Sequence, residues 1–114
     1  MAQLPVWKCS NCNLVLDVEQ APDECPRCGA PKEDIKELDV NAAELVRRSR
    51  FSNDLHMELT ALLRKVVEIG KAGEEDNLDP GCLHIFRRVQ EGASMMHQWI
   101  KAEIEVHQSK GKWG

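Results

Sequence analysis

With 114 residues, 19 acidic side chains against 15 basic ones and a formal charge of −4, the chain has room for one ordinary domain or two very small ones. So modest an acidic excess offers no clustered positive surface for phosphates, which argues against nucleic acid as a partner, and no apolar run is long enough to cross a membrane. Five cysteines without a signal-peptide pattern fit a reducing cytoplasm, where thiols serve metals rather than disulfides.

From the N-terminus, Met1 to Pro5 is a lead-in, and Val6-Trp7-Lys8 is expected to form a short strand entering the turn Cys9-Ser-Asn-Cys12. Leu14 to Val18 is expected to be a second short strand, and Gln20 to Glu24 a loop leading to Cys25-Pro-Arg-Cys28. Lys32 to Leu38 makes a last turn or strand, with Ile35 and Leu38 covering a small core in which Trp7 packs. Two Cys-x-x-Cys turns twelve residues apart place four thiolates around one ion, with Cys9, Cys12, Cys25 and Cys28 as tetrahedral ligands. Zinc in such a cage is closed and redox-silent, whereas iron exchanges one electron, and the spacing admits both. Gly29, just after the second turn, can take positive φ and so let backbone N–H groups point at sulfur. Asn13 holds the matching place in the first turn and is the next most tolerant residue of that geometry. Residues 1–40 bury little core and need their metal as a staple.

The motif Trp7-Lys-Cys9-Ser-Asn-Cys12, followed by Ala21-Pro22-Asp-Glu-Cys25-Pro26-Arg-Cys28-Gly29-Ala30-Pro31-Lys32, resembles the short rubredoxin-like domain of rubrerythrins. The chain departs from that pattern at Asn13, where the family usually has Gly, and in Leu14-Val-Leu16, which lacks the customary aromatic. The resemblance implies one iron held by the four cysteines and one-electron transfer, often to a di-iron oxygen or peroxide site in a helical bundle. It covers the first third of the chain.

Residues 41–114 read as all-α. Asn41 is the expected N-cap of a helix over about 42–73, with a stripe of Leu55, Leu59, Leu62, Val66 and Ile69 at alternating spacings of four and three, widened by Leu63 and Val67. After an acidic turn, Asp79 caps and Pro80 opens a second helix over about 80–109, with a stripe of Cys82, Phe86, Val89, Ala93, Met96, Ile100, Glu103 and His107. The expected fold is thus a small metal-bound β ribbon followed by an antiparallel helical hairpin. Apolar residues off the central lines, among them Ile85, Met95 and Trp99, call for more helices, and a homodimer completing a four-helix bundle is expected. Arg47, Arg48 and Arg50 are expected on solvated or partner-facing surface.

No Glu-x-x-His motif occurs in the chain, so the rubrerythrin di-iron site does not extend to it. Two weaker groupings on the helices are candidates for a second metal or haem: Glu103 with His107, four residues apart, and His56 with His97, which counting from the turn puts at one height. Arg48 offers Glu103 an ion pair instead, and Cys82 is expected to be a small buried residue. No catalytic acid, base or nucleophile is evident, so a carrier is expected rather than an enzyme. It would be an iron protein passing single electrons to a redox protein partner; the alternative is a structural zinc ribbon on a helical interaction domain with no redox role.

Overall fold

The computed structural model describes residues 3–114; the first two residues of the lead-in lie outside the described residues. In chain order the elements are β1 (Val6–Cys9), β2 (Val15–Asp17), a 3-10 turn (Lys32–Asp34), β3 (Ile35–Glu37), α1 (Val40–Asp76) and α2 (Pro80–Ser109). They form two compact units, one running to Arg50 and including Gly111–Gly114, the other Phe51–Lys110. The first turns of α1 therefore belong to the ribbon's unit.

In that first unit β1 lies between β2 and β3, antiparallel to both, with Trp7 opposite Leu16 on one side and Glu37 on the other. Strand alternation puts Trp7 and Cys9 on one face, and there a core of Cys9, Ala21, Cys25, Ala30 and Ile35 forms, with Trp7, Cys12 and Leu14 packed against it. The Trp7 indole N–H donates to the Val18 carbonyl at 3.0 Å, so the half-buried ring packs against this core without orphaning its donor. Ala21 and Ala30 are small because they share this core with the cysteines. Two arginines expected on open surface bind within the unit instead. Arg47 donates to the Leu4 carbonyl at 2.8 Å, while Arg50 grips both carboxylate oxygens of Asp17 at 2.6 and 2.8 Å and donates to the Gly114 carbonyl at 2.7 Å.

Helix α1 starts earlier than expected, because Asp39 and not Asn41 is its cap. The Asp39 carboxylate accepts from the Ala42 N–H at 2.8 Å and its carbonyl from the Ala43 N–H at 2.9 Å, which leaves Asn41 inside the first turn. The helix also continues through Gly70 and Gly73, which do not end it. A Cβ at Gly70 would come within 2.6 Å of the Gln90 side chain, and one at Gly73 would collide with the Phe86 ring. These glycines exist to let α2 approach, and the helix stops instead at Asn77, whose φ is 46°. Asp79 caps α2 as expected, accepting from the Cys82 N–H at 2.7 Å ahead of Pro80.

On α2 the hairpin seam uses Ala93 and Ile100 of the expected stripe, whereas on α1 it shifts from the expected leucines to the flank at Leu63 and Val67. Its buried residues are Leu63, Ala93 and Ile100, with Val66, Val67 and Ile104 against them. Polar ties extend the seam: Gln90 donates to Glu74 at 2.9 Å, and His107 meets Asn53 at 2.6 Å. The stripe of Leu55, Leu59, Leu62 and Ile69 is exposed. Gly70, Gly73 and the bulk of Phe86 fix the rotation of α1 about its axis, and that rotation turns the leucines outward.

Candidate metal centre

Each half of the site is the same knuckle built twice, sixteen residues apart. The Cys9 N–H donates to the Leu14 carbonyl at 2.9 Å and the Asn13 N–H to the Cys9 carbonyl at 2.8 Å; the Cys25 N–H donates to the Ala30 carbonyl and the Gly29 N–H to the Cys25 carbonyl, both at 2.8 Å. Asn13 and Gly29 have φ of 67° and 76°, so the left-handed turn expected from Gly29 is kept by asparagine in the first knuckle. That conformation aims the N–H of the residue after Asn13 or Gly29 back at the sulfur two positions before it: Leu14 donates to Cys12 and Ala30 to Cys28.

The four Sγ atoms lie within 4.8 Å of one another. Cys9 and Cys28 are 3.7 Å apart and Cys12 and Cys25 are 3.6 Å apart, far beyond the S–S bond length of about 2 Å. A tetrahedron with metal–sulfur bonds of about 2.3 Å has edges of about 3.8 Å, so the cage fits a single ion of zinc or iron size. Cys9 and Cys25 are buried, Cys12 is half-buried and Cys28 is exposed.

The thiols are not equivalent. At Cys28 the Asn11 amide, which donates to sulfur at 3.4 Å, and then the Ala30 N–H bring the thiol down to about 6. At Cys12 the Leu14 N–H, and after it the Arg27 guanidinium, also lower it. At Cys9 the Cys12 N–H favours the thiolate, but burial and the neighbouring thiols of Cys28 and Cys12 outweigh it and the group is pushed up to about 11. An entering metal must displace such protons, so uptake is favoured as pH rises.

Residues 7–36 match the family described as the rubredoxin-like domain of rubrerythrin. That segment is a rubredoxin-like metal-binding domain with four cysteine ligands, and two long helices follow it. The chain matched no characterised protein and no solved structure.

Among the described residues, the four cysteines are the one group of three or more ligating side chains whose donor atoms converge. Of the second-site candidates, the hairpin gathers three. His107 places Nδ1 2.6 Å from the Asn53 side-chain amide oxygen and Nε2 3.2 Å from the Glu103 carboxylate, and the His56 ring stands edge-on to it with centroids 6.1 Å apart. Glu103, for which the sequence offers Arg48, thus meets His107. His97 is not at the height of His56; it lines a groove with Leu63, Arg64 and Lys101. The difference in height follows from α1 running past its glycines to Asp76, which shifts the register of the pair. Buried Asn53, the residue that holds His107, gave no sequence signal beyond its position four before Met57 and one turn from His56. Cys82 is half-buried, and the Asp79 carboxylate raises its thiol above the usual range, so it lacks the thiolate character of a reactive cysteine.

Proposed function

We propose that this is an iron-binding rubredoxin-like protein that transfers single electrons to a redox protein partner in the cytoplasm, with its hairpin serving dimerisation or docking. The observation that carries the reading is the exposure of Cys28 beside buried Cys9 and Cys25. Iron held by four thiolates supplies one-electron chemistry. Buried Cys9 and Cys25 exclude water from one side of the cage, while the Cys28 sulfur reaches the surface, where a partner can approach for outer-sphere exchange. Donors from Asn11, Leu14 and Ala30 to the sulfurs stabilise the more negative, reduced site.

A cage of these dimensions holds zinc equally well, and the apolar outer face of the hairpin favours a second reading, in which zinc folds the ribbon and the helices are the functional surface. No described helix is long and apolar enough to cross a membrane. The test is the metal content of protein purified from an iron-replete, zinc-limited culture, with absorption spectra before and after dithionite. Iron equimolar with the chain and a red colour bleached reversibly by reductant are expected. Equimolar zinc with no spectral change would overturn the electron-transfer role.

A further inference from the structure

The hairpin has its apolar stripes on the outside. On α1, Leu55, Leu59, Leu62, Val66 and Ile69 repeat at spacings of four and three; on α2, Ile85, Val89, Gly92, Met96 and Trp99 do the same. Leu62, Ile85 and Trp99 are 58%, 59% and 64% exposed. Both stripes lie on one side of the hairpin, because Val66, Ile85, Val89, Gly92 and Met96 line a common groove of about 480 Å³ with Arg88 at its margin. The opposite side, with Arg64, Glu68, Lys71, Gln98 and Lys101, is polar. One side is therefore built for water and the other for helices.

Gly92 says what kind of helix surface. Glycine in a helix interior is unfavourable relative to alanine, and Gly70 and Gly73 are explained by α2 lying where a Cβ would go. A Cβ at Gly92 would meet nothing within 4 Å, so nothing inside the chain requires glycine there, in the middle of the outer stripe. A gap at that place admits a close neighbour from outside.

We propose that this face is closed by a second copy of the chain, the two hairpins forming a four-helix bundle whose closest approach is at Gly92. Alternating four-three stripes pack against stripes of the same kind, and a two-fold axis lets one patch serve both partners. The area agrees: two helices are together about 20 Å wide, and the exposed Val106, seven residues beyond Trp99 on the same face, extends the α2 stripe to about 30 Å from Ile85, which gives on the order of 600 Å² per copy. A pair then covers on the order of 1,200 Å², which reaches the range of stable interfaces. The proposal holds whichever metal the ribbon carries, and its test reads mass rather than redox state.

Sedimentation velocity on the full-length, metal-loaded protein across a micromolar concentration range is expected to give a dimer. Gly92→Leu and Leu62→Glu, both at outward positions, are each expected to raise the dissociation constant at least tenfold while far-UV circular dichroism keeps the helical signal. Arg64→Glu, on the polar side, is expected to leave it unchanged. A monomeric wild type, or a dimer that neither Gly92→Leu nor Leu62→Glu weakens, would overturn the proposal.

Discussion

Asn11 occupies a position in the first knuckle that any small turn residue could fill, yet its amide reaches across to Cys28 on the second knuckle at 3.4 Å. A donor to a thiolate withdraws charge from the site, so in the iron-loaded protein Asn11→Ala is expected to lower the reduction potential. The shift is on the order of 50 mV, the equivalent of about 1 kcal/mol for one electron, and redox titration of the visible absorption measures it. Asp17 illustrates a different residue-scale effect. The bidentate Arg50 guanidinium holds its carboxyl below the usual range against opposition from burial, with Arg47 adding a smaller contribution. Because the folded value is depressed, the stabilisation is present above the unfolded value of about 3.9 and is lost as pH falls through the folded one. Both side chains are about a third exposed, so screening limits the pair to about 0.5–1 kcal/mol. Urea denaturation should show Asp17→Asn destabilised by that amount at neutral pH, with the gap to wild type closing in acid. The cysteines and the Asn13 turn could be read from sequence because their constraints are local. The Asn11–Cys28 bond and the Asp17–Arg50 clamp could not, since their partners are 17 and 33 residues apart.

At the scale of elements, the ribbon and the helices depend on different forces. Strands of three or four residues bury too little to hold themselves, so the metal supplies the missing free energy. Chelation at neutral pH is expected to expose the Trp7 indole N–H to exchange, because its bond to Val18 exists only while the knuckles hold β1 and β2 in place. The α2 helical signal should persist. Hydrogen exchange followed by NMR distinguishes the two, and a Trp7 indole that stays protected without metal would show that the sheet stands alone. The helix ends depend on their caps. Asp39→Ala removes the acceptor of the Ala42 N–H and is expected to cost about 1 kcal/mol, measured as a shift in the denaturation midpoint, whereas Asn41→Ala should cost far less. Sequence reasoning chose Asn41 because both residues are good caps; the choice fell to Asp39 once β3 ended at Glu37 and left only two residues before the helix.

For the whole molecule, two compact units join a metal site to a pair of helices, and each was legible to a different depth. The sequence alone determined the four-cysteine cage, the order of ribbon and helices, and the existence of a helical pair with more apolar surface than it can use internally. Those features follow from short-range spacing: Cys-x-x-Cys turns, a Pro80 start, and four-three repeats. Only the tertiary structure decided which stripe faces inward. Periodicity fixes that a helix has an apolar side, but the rotation of one helix against another is set by where side chains collide, and here Gly70, Gly73 and Phe86 set it. That rotation brings Asn53 to His107 and leaves Leu55, Leu59, Leu62 and Ile69 on the surface, because close packing between helices depends on the volumes of residues far apart in the chain.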